Sequence, residues 1–154
     1  QKELIEKLIA QVGLSEFIDK KVETFSKGMK QRLQIARALL NNPKVIFLDE
    51  PSIGLDPVGA KELRELIKKL SKEGVTILLT THYMPEAEEL CDRIAIIKKG
   101  KLLAIDDVVG LQNLVSNERK EEIKAKKERE QEEKNKKNLE ITLEDIYIEL
   151  LGDA

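Results

Sequence analysis

Residues 45–48 read Val-Ile-Phe-Leu, an apolar run without alternation, and it ends on two acids, Asp49 and Glu50. A second run, Val75 to Leu79, ends on Thr80, Thr81 and the chain's single histidine, His82. Continuous apolar runs are the pattern of parallel strands covered on both faces. Between them, Asp56 and Pro57 read as the N-cap and first residue of a helix lasting to about Leu70, and Lys72-Glu73-Gly74 as the turn that follows. Strand, helix and strand of these lengths close as a right-handed parallel crossover. This unit constrains the fold more than any other stretch. It demands an α/β sheet, and it sets two acids and an imidazole at the carboxyl edge, where open α/β sheets place their ligands.

The remaining pattern extends that unit. Leu4, Ile5, Leu8, Ile9 and Val12 lie at helical spacing, Gly13 reads as a C-cap, and Ser15 as the N-cap of a short helix or turn over 14–21. A loop at 22–25 leads to a helix over 26–40 with Met29, Leu33, Ala36 and Leu40 on one face, stopped by Asn41, Asn42 and Pro43. Downstream, Pro85 opens a helix to about Cys91. Strands Arg93–Ile97 and Leu102–Ile105 flank the two-residue turn Lys99-Gly100, adding an antiparallel edge hairpin to the sheet. From Ser116 to Asn138 almost every residue is charged and the only branched apolar residue is Ile123, so a solvated helix or a mobile linker is expected, supported by pairs such as Glu122 with Lys126 and Glu130 with Lys134. Ile141 to Leu151 regains apolar residues, Leu143, Ile146, Tyr147 and Leu150, and should dock. The expected division is 1–115, a charged segment over 116–139, and a docking segment over 140–154.

Lys and Arg number 27 against 29 Asp and Glu, a net charge of -2, so no basic field announces nucleic-acid binding. A lone cysteine, Cys91, makes neither an internal disulfide nor a thiolate zinc cluster, and favours a reducing, cytoplasmic setting. No apolar run approaches the ~20 residues that span a bilayer, and no signal-peptide pattern occurs, so a link to a membrane is expected through a partner. Residue 1 is Gln and falls inside an amphipathic pattern, which leads us to expect a chain cut from a longer one.

Three places carry chemistry. Adjacent carboxylates at a strand end are costly without a cation; the first suits Mg²⁺ and the second a proton-accepting role, although a strand-end helix cap explains them as well. His82 emerges at the same edge, as a phosphate-sensing group or as a structural histidine. In Phe25-Ser26-Lys27-Gly28-Met29, Ser26 can cap the helix or turn its hydroxyl outward. Gly28 lets a ligand reach backbone N–H groups at a helix start that favours anions, and a plain serine cap leaves its cost of about 1 kcal/mol unexplained.

These elements, in this order and spacing, resemble the ATP-binding subunit of ABC transporters over residues 1 to about 106. Phe25 to Met29 matches the family's signature motif, continued by Lys30-Gln31-Arg32; Val45–Glu50 looks like Walker B, Ser52–Asp56 like the D-loop, and His82 like the switch histidine. Lys27 stands where the familiar signature has glycine and Met29 where it has glutamine, variants similar to the exporter branch. Leu143-Glu144-Asp145-Ile146-Tyr147 also looks like that branch's C-terminal segment.

The resemblance implies the C-terminal part of a P-loop NTPase, RecA-like ABC ATPase domain, with ATP and Mg²⁺ as cofactors. Asp49 would help hold Mg²⁺, Glu50 would be the general base, and His82 would contact the γ-phosphate. Ser26, Lys27, Gly28 and Met29 would meet the nucleotide held by a second ATPase subunit, with Asp56 lining that dimer interface. The implied function is an ATP-hydrolysing subunit on the cytoplasmic face of a membrane, driving a separate permease. The alternatives are a non-transport ABC ATPase of repair or translation type, or a non-catalytic module lending its signature helix. No stretch reads G-x-x-x-x-G-K-[ST], so the chain alone is expected not to hydrolyse ATP. An exposed apolar sheet edge is expected to favour self-association.

Overall fold

The computed structural model describes residues 2–134 and 141–152, and the chain forms two compact units, 1–82 and 83–154. In the first unit, α1 (Lys2–Gln11) ends at Gly13, whose φ of 70° is open to glycine. Two 3-10 turns follow at Ser15–Phe17 and Val22–Thr24; Leu14, not Ser15, occupies the cap position of the first. The rings of Phe17 and Phe25 meet edge to face with centroids 6.1 Å apart, anchoring the approach to α2 (Lys27–Leu39). Then come β1 (Val45–Asp49), α3 (Pro57–Lys72) and β2 (Thr76–Thr80). The strands pair in parallel, from Val45 opposite Thr76 to Asp49 opposite Thr80.

Two expectations need correction here. The apolar runs are not covered on both faces: Ile46 and Leu48 are buried, while Phe47 is 74% and Leu78 57% exposed. A strand's side chains alternate, and among the described residues only one face of this two-stranded sheet is covered. Helix α2 buries Ile35, Ala36 and Leu39 while Leu40 is exposed, so its stripe is rotated from the expected one. With Leu33, Ile35, Leu39 and Leu40 all apolar, periodicity alone does not choose between adjacent stripes. An Arg32–Glu62 ion pair at 3.4 Å ties α2 to α3.

The second unit contains α4 (Met84–Leu90), β3 (Ile94–Lys98), β4 (Lys101–Asp106), α5 (Val108–Asn113), α6 (Asn117–Lys134) and α7 (Leu143–Gly152). Lys99 and Gly100 both have positive φ, 48° and 75°, as a tight hairpin turn matching strand twist requires. The hairpin forms a two-stranded sheet of its own, whereas the sequence pattern adds it to the parallel sheet as an edge; β3 and β4 are each other's ladder partners.

Ile94, Ile96, Leu111, Val115, Leu143 and Ile146 form the core of this unit. Arg119 of α6 reaches Glu149 of α7 at 2.6 Å, and Lys127 pairs with Asp145. Asp145 in turn accepts from the Thr142 N–H and hydroxyl, a capping box. Burial alone would push the Asp145 carboxyl up, but the hydrogen bonds from Lys127 and Thr142 outweigh it and hold it below the usual carboxylate value. Cys91 is half-buried; desolvation first, then Glu86 and Asp92, push its thiol up, which suits an inert side chain. Residues 135–140, the end of the expected charged segment, and the side chains of Tyr147 and Leu150 lie outside the described residues.

Candidate functional site at the carboxyl edge of the parallel strands

The register of β1 and β2 sets Asp49 directly opposite Thr80. The Thr80 hydroxyl donates to Asp49 Oδ1 and accepts the Glu50 N–H at 3.3 Å; the same N–H also reaches the Thr80 carbonyl at 3.0 Å. Glu50 is thereby held with φ of 44°, a left-handed conformation that costs a non-glycine residue about 1 kcal/mol or more. The turn takes its side chain out of the strand direction, and Glu50 Oε1 meets His82 Nδ1 at 2.8 Å. Glu50 is half-buried and His82 is 72% exposed. Asp49, Glu50 and His82 are thus one hydrogen-bonded set. Thr80, which sequence reasoning passes over, joins it; the signal available was its place at the second strand's end, matching that of Asp49 at the first.

The start of α2 forms a second set. Ser26 is the N-cap, its hydroxyl accepting the Met29 N–H at 3.2 Å, which resolves the choice left open by sequence. The first turn holds no acid, and Lys27 and Lys30 stand at the positive end of the helix dipole, where cations are disfavoured and an anion is welcome. A Cβ at Gly28 would meet only Leu55, at 3.8 Å, so packing within the chain does not demand glycine there. Gly54, with φ of 67°, is demanded by its backbone; the Lys27 ammonium that a Cβ would meet is the end of a flexible side chain and can move aside. Asp56 Oδ1 accepts from Val58 and Gly59 N–H at 3.0 Å each, capping α3 as its sequence position predicts. The Gly59 bond leads in holding this carboxyl below its ordinary value.

A shallow cleft of about 290 Å³ between α2 and β1 is lined by residues including Phe47 and Asp49. Among the described residues, no three His, Cys, Asp or Glu side chains gather into a metal-binding group. Asp49 keeps one carboxylate oxygen clear of its bond to Thr80. That donor set fits a Mg²⁺ that takes one or two carboxylates and completes its octahedron with phosphates and water.

The ABC transporter family profile matches residues 1–53. An uncharacterized ABC transporter ATP-binding protein of Bacillus subtilis is 49% identical over 70% of this chain and 35% of its own length. A fluoroquinolones export ATP-binding protein of Mycobacterium tuberculosis is 48% identical over 64% of the chain and 33% of its length. A lantibiotic transport ATP-binding protein of Streptococcus pyogenes is 46% identical, covering 70% and 47%. The chain therefore spans between a third and a half of these relatives. An ABC transporter's ATP-binding cassette, solved in its ADP conformation, superposes with a TM-score of 0.63 at 29% identity, covering 67% of this chain and 41% of that one. No helix among the described residues is long and apolar enough to cross a membrane. By these matches the chain is similar, over about two thirds of its length, to ATP-binding proteins of ABC transporters, and its residues 1–53 carry the ABC transporter family match.

Proposed function

We propose that residues 1–106 supply the signature, Walker B, D-loop and switch-histidine portion of an exporter-type ATPase subunit that drives a separate membrane permease from the cytoplasmic face. The observation that carries this reading is the hydrogen-bonded set Asp49, Glu50 and His82 at adjacent parallel strand ends.

In this reading Asp49 helps hold Mg²⁺ through the oxygen that Thr80 leaves clear, and Glu50 is the proton acceptor for the attacking water. His82 orients Glu50 and lies within reach of a terminal phosphate. When bound with nucleotide, Mg²⁺ would neutralise charge on the phosphate oxygens. The N–H groups at the α2 start, with Ser26, Lys27, Gly28 and Met29, face the nucleotide of a second ATPase subunit, and Asp56 stands at the interface between them. The anion demand at that helix start and the absence of any packing reason for Gly28 support this assignment. The phosphate loop has to come from polypeptide other than these residues, so the isolated chain binds ATP weakly and does not turn it over. The proposed organisation is an ATPase body over 1–115, a charged connection over 116–139 and a docking segment beyond.

The test is a chimera in which this chain's residues replace the matching segment of the Bacillus subtilis relative. Mg²⁺-dependent ATP hydrolysis is expected, and Glu50→Gln should abolish turnover while ATP binding persists. Undiminished hydrolysis by Glu50→Gln would refute the assigned base. Tight ATP binding by the isolated chain would refute the division of the site.

A further inference from the structure

Thr80 stands apart from the motifs that carry the family resemblance, yet its hydroxyl joins both acids. It has one proton to donate, and that proton goes to Asp49 Oδ1; an oxygen lone pair takes the Glu50 N–H at 3.3 Å. These bonds exist because the parallel register puts Thr80 opposite Asp49. A β-branched residue in a strand has a restricted χ1, so the oxygen stays on the side facing β1 at low entropic cost.

Two consequences follow. The Asp49 carboxylate is fixed in rotation, with one oxygen committed and the other presented. The left-handed turn at Glu50, φ 44°, has its N–H satisfied by two Thr80 oxygens, and that turn brings Glu50 Oε1 to His82. Without the hydroxyl the N–H keeps only the carbonyl, and Asp49 loses the partner that orients it.

We propose that Thr80 is a positioning residue: it selects the Asp49 oxygen offered to a divalent cation and holds the turn that aims Glu50. The proposal rests on the reading of Asp49 and Glu50 as the metal and base positions. It assigns Thr80 no contact with substrate.

Thr80→Val keeps the shape and removes the hydroxyl, while Thr80→Ser keeps the hydroxyl. The experiment is NMR on the full 154-residue chain, free and titrated with Mn²⁺ alone, with amides near the α3 acid Glu65 as a reference for loose surface binding. Exchange of the Glu50 amide is expected to be about fivefold faster in Thr80→Val than in the native chain and Thr80→Ser, with Leu48 and Leu79 unchanged. Mn²⁺ is expected to broaden the amides of residues 49, 50 and 80 ahead of the Glu65 reference. In Thr80→Val this should take several-fold more Mn²⁺, and Thr80→Ser should restore the native response.

Equal Glu50 exchange in Thr80→Val, or an unchanged Mn²⁺ response in that variant while the native chain responds, overturns the role of Thr80 and leaves the acid pair standing. A native chain whose Asp49 region broadens no sooner than the Glu65 reference overturns the reading of the acids as a cation site, and the proposal with it. A merely structural threonine would slow or speed exchange across β1 and β2 together, which also overturns the proposal.

Discussion

Ile146 of α7 is fully buried and belongs to the same core of the second unit as Leu143, Leu111, Ile94 and Ile96. Truncating such a side chain to alanine costs its transfer energy plus a cavity term, about 2–5 kcal/mol. At roughly 0.05–0.15 kcal/mol per residue, a unit the length of residues 83–154 has about 4–11 kcal/mol in all. Ile146→Ala therefore removes a large share of that stability, and at the upper end unfolds the unit. Ile148 lies two residues on and is 62% exposed, so Ile148→Ala should change stability by less than about 0.5 kcal/mol. Hydrogen exchange resolved by residue is the assay, because it reports each unit separately. Amides of β3 and Leu111 should exchange about 30-fold to several-thousand-fold faster in Ile146→Ala, while those of β1 and α3 hold their native rates. Unchanged exchange in β3, or equal effects from Ile146→Ala and Ile148→Ala, would refute the conclusion that α7 completes this core.

Other perturbations test other links. The folded Asp145 carboxyl titrates below its unfolded value, so its contribution is present above the ordinary carboxylate range and disappears as pH falls through the folded value. Asp145→Asn should lower the second unit's denaturation midpoint at neutral pH and flatten its loss as pH falls below the ordinary carboxylate range, as read from urea unfolding across pH. Gly54→Ala puts a Cβ on a left-handed residue, and should cost the first unit about 1 kcal/mol or more in a urea titration. Phe47→Lys, on the open face of β1, should leave the melting temperature nearly unchanged yet reduce concentration-dependent association in sedimentation velocity; equal association would show that this apolar face is not what self-associates.

Local chemistry made much of the fold legible. Asp56 before Pro57 can only begin a helix, and Lys99-Gly100 between apolar strands can only close a hairpin, because cap and turn preferences act over a few residues. The same locality made Ser26 readable as a cap candidate and Asp49, Glu50 and His82 readable as strand-end groups. The errors fall where local pattern is ambiguous. An unbroken apolar run is consistent with burial on either face, and it did not reveal that Phe47 and Leu78 stand open while Ile46 and Leu48 are covered.

Sequence by itself determined the β1–α3–β2 crossover, the cap of α3 at Asp56 and the set of residues that end up at the strand edge, since spacing and backbone preference suffice for each. Tertiary structure alone decided that Thr80 faces Asp49, that Glu50 turns left-handed to meet His82, that Lys27 lies over Gly54, and that α6 binds α7 through Arg119 and Lys127. The reason is physical: each of these contacts joins residues far apart in the chain. Strand register and the packing of whole elements fix such distances, and no local propensity encodes them.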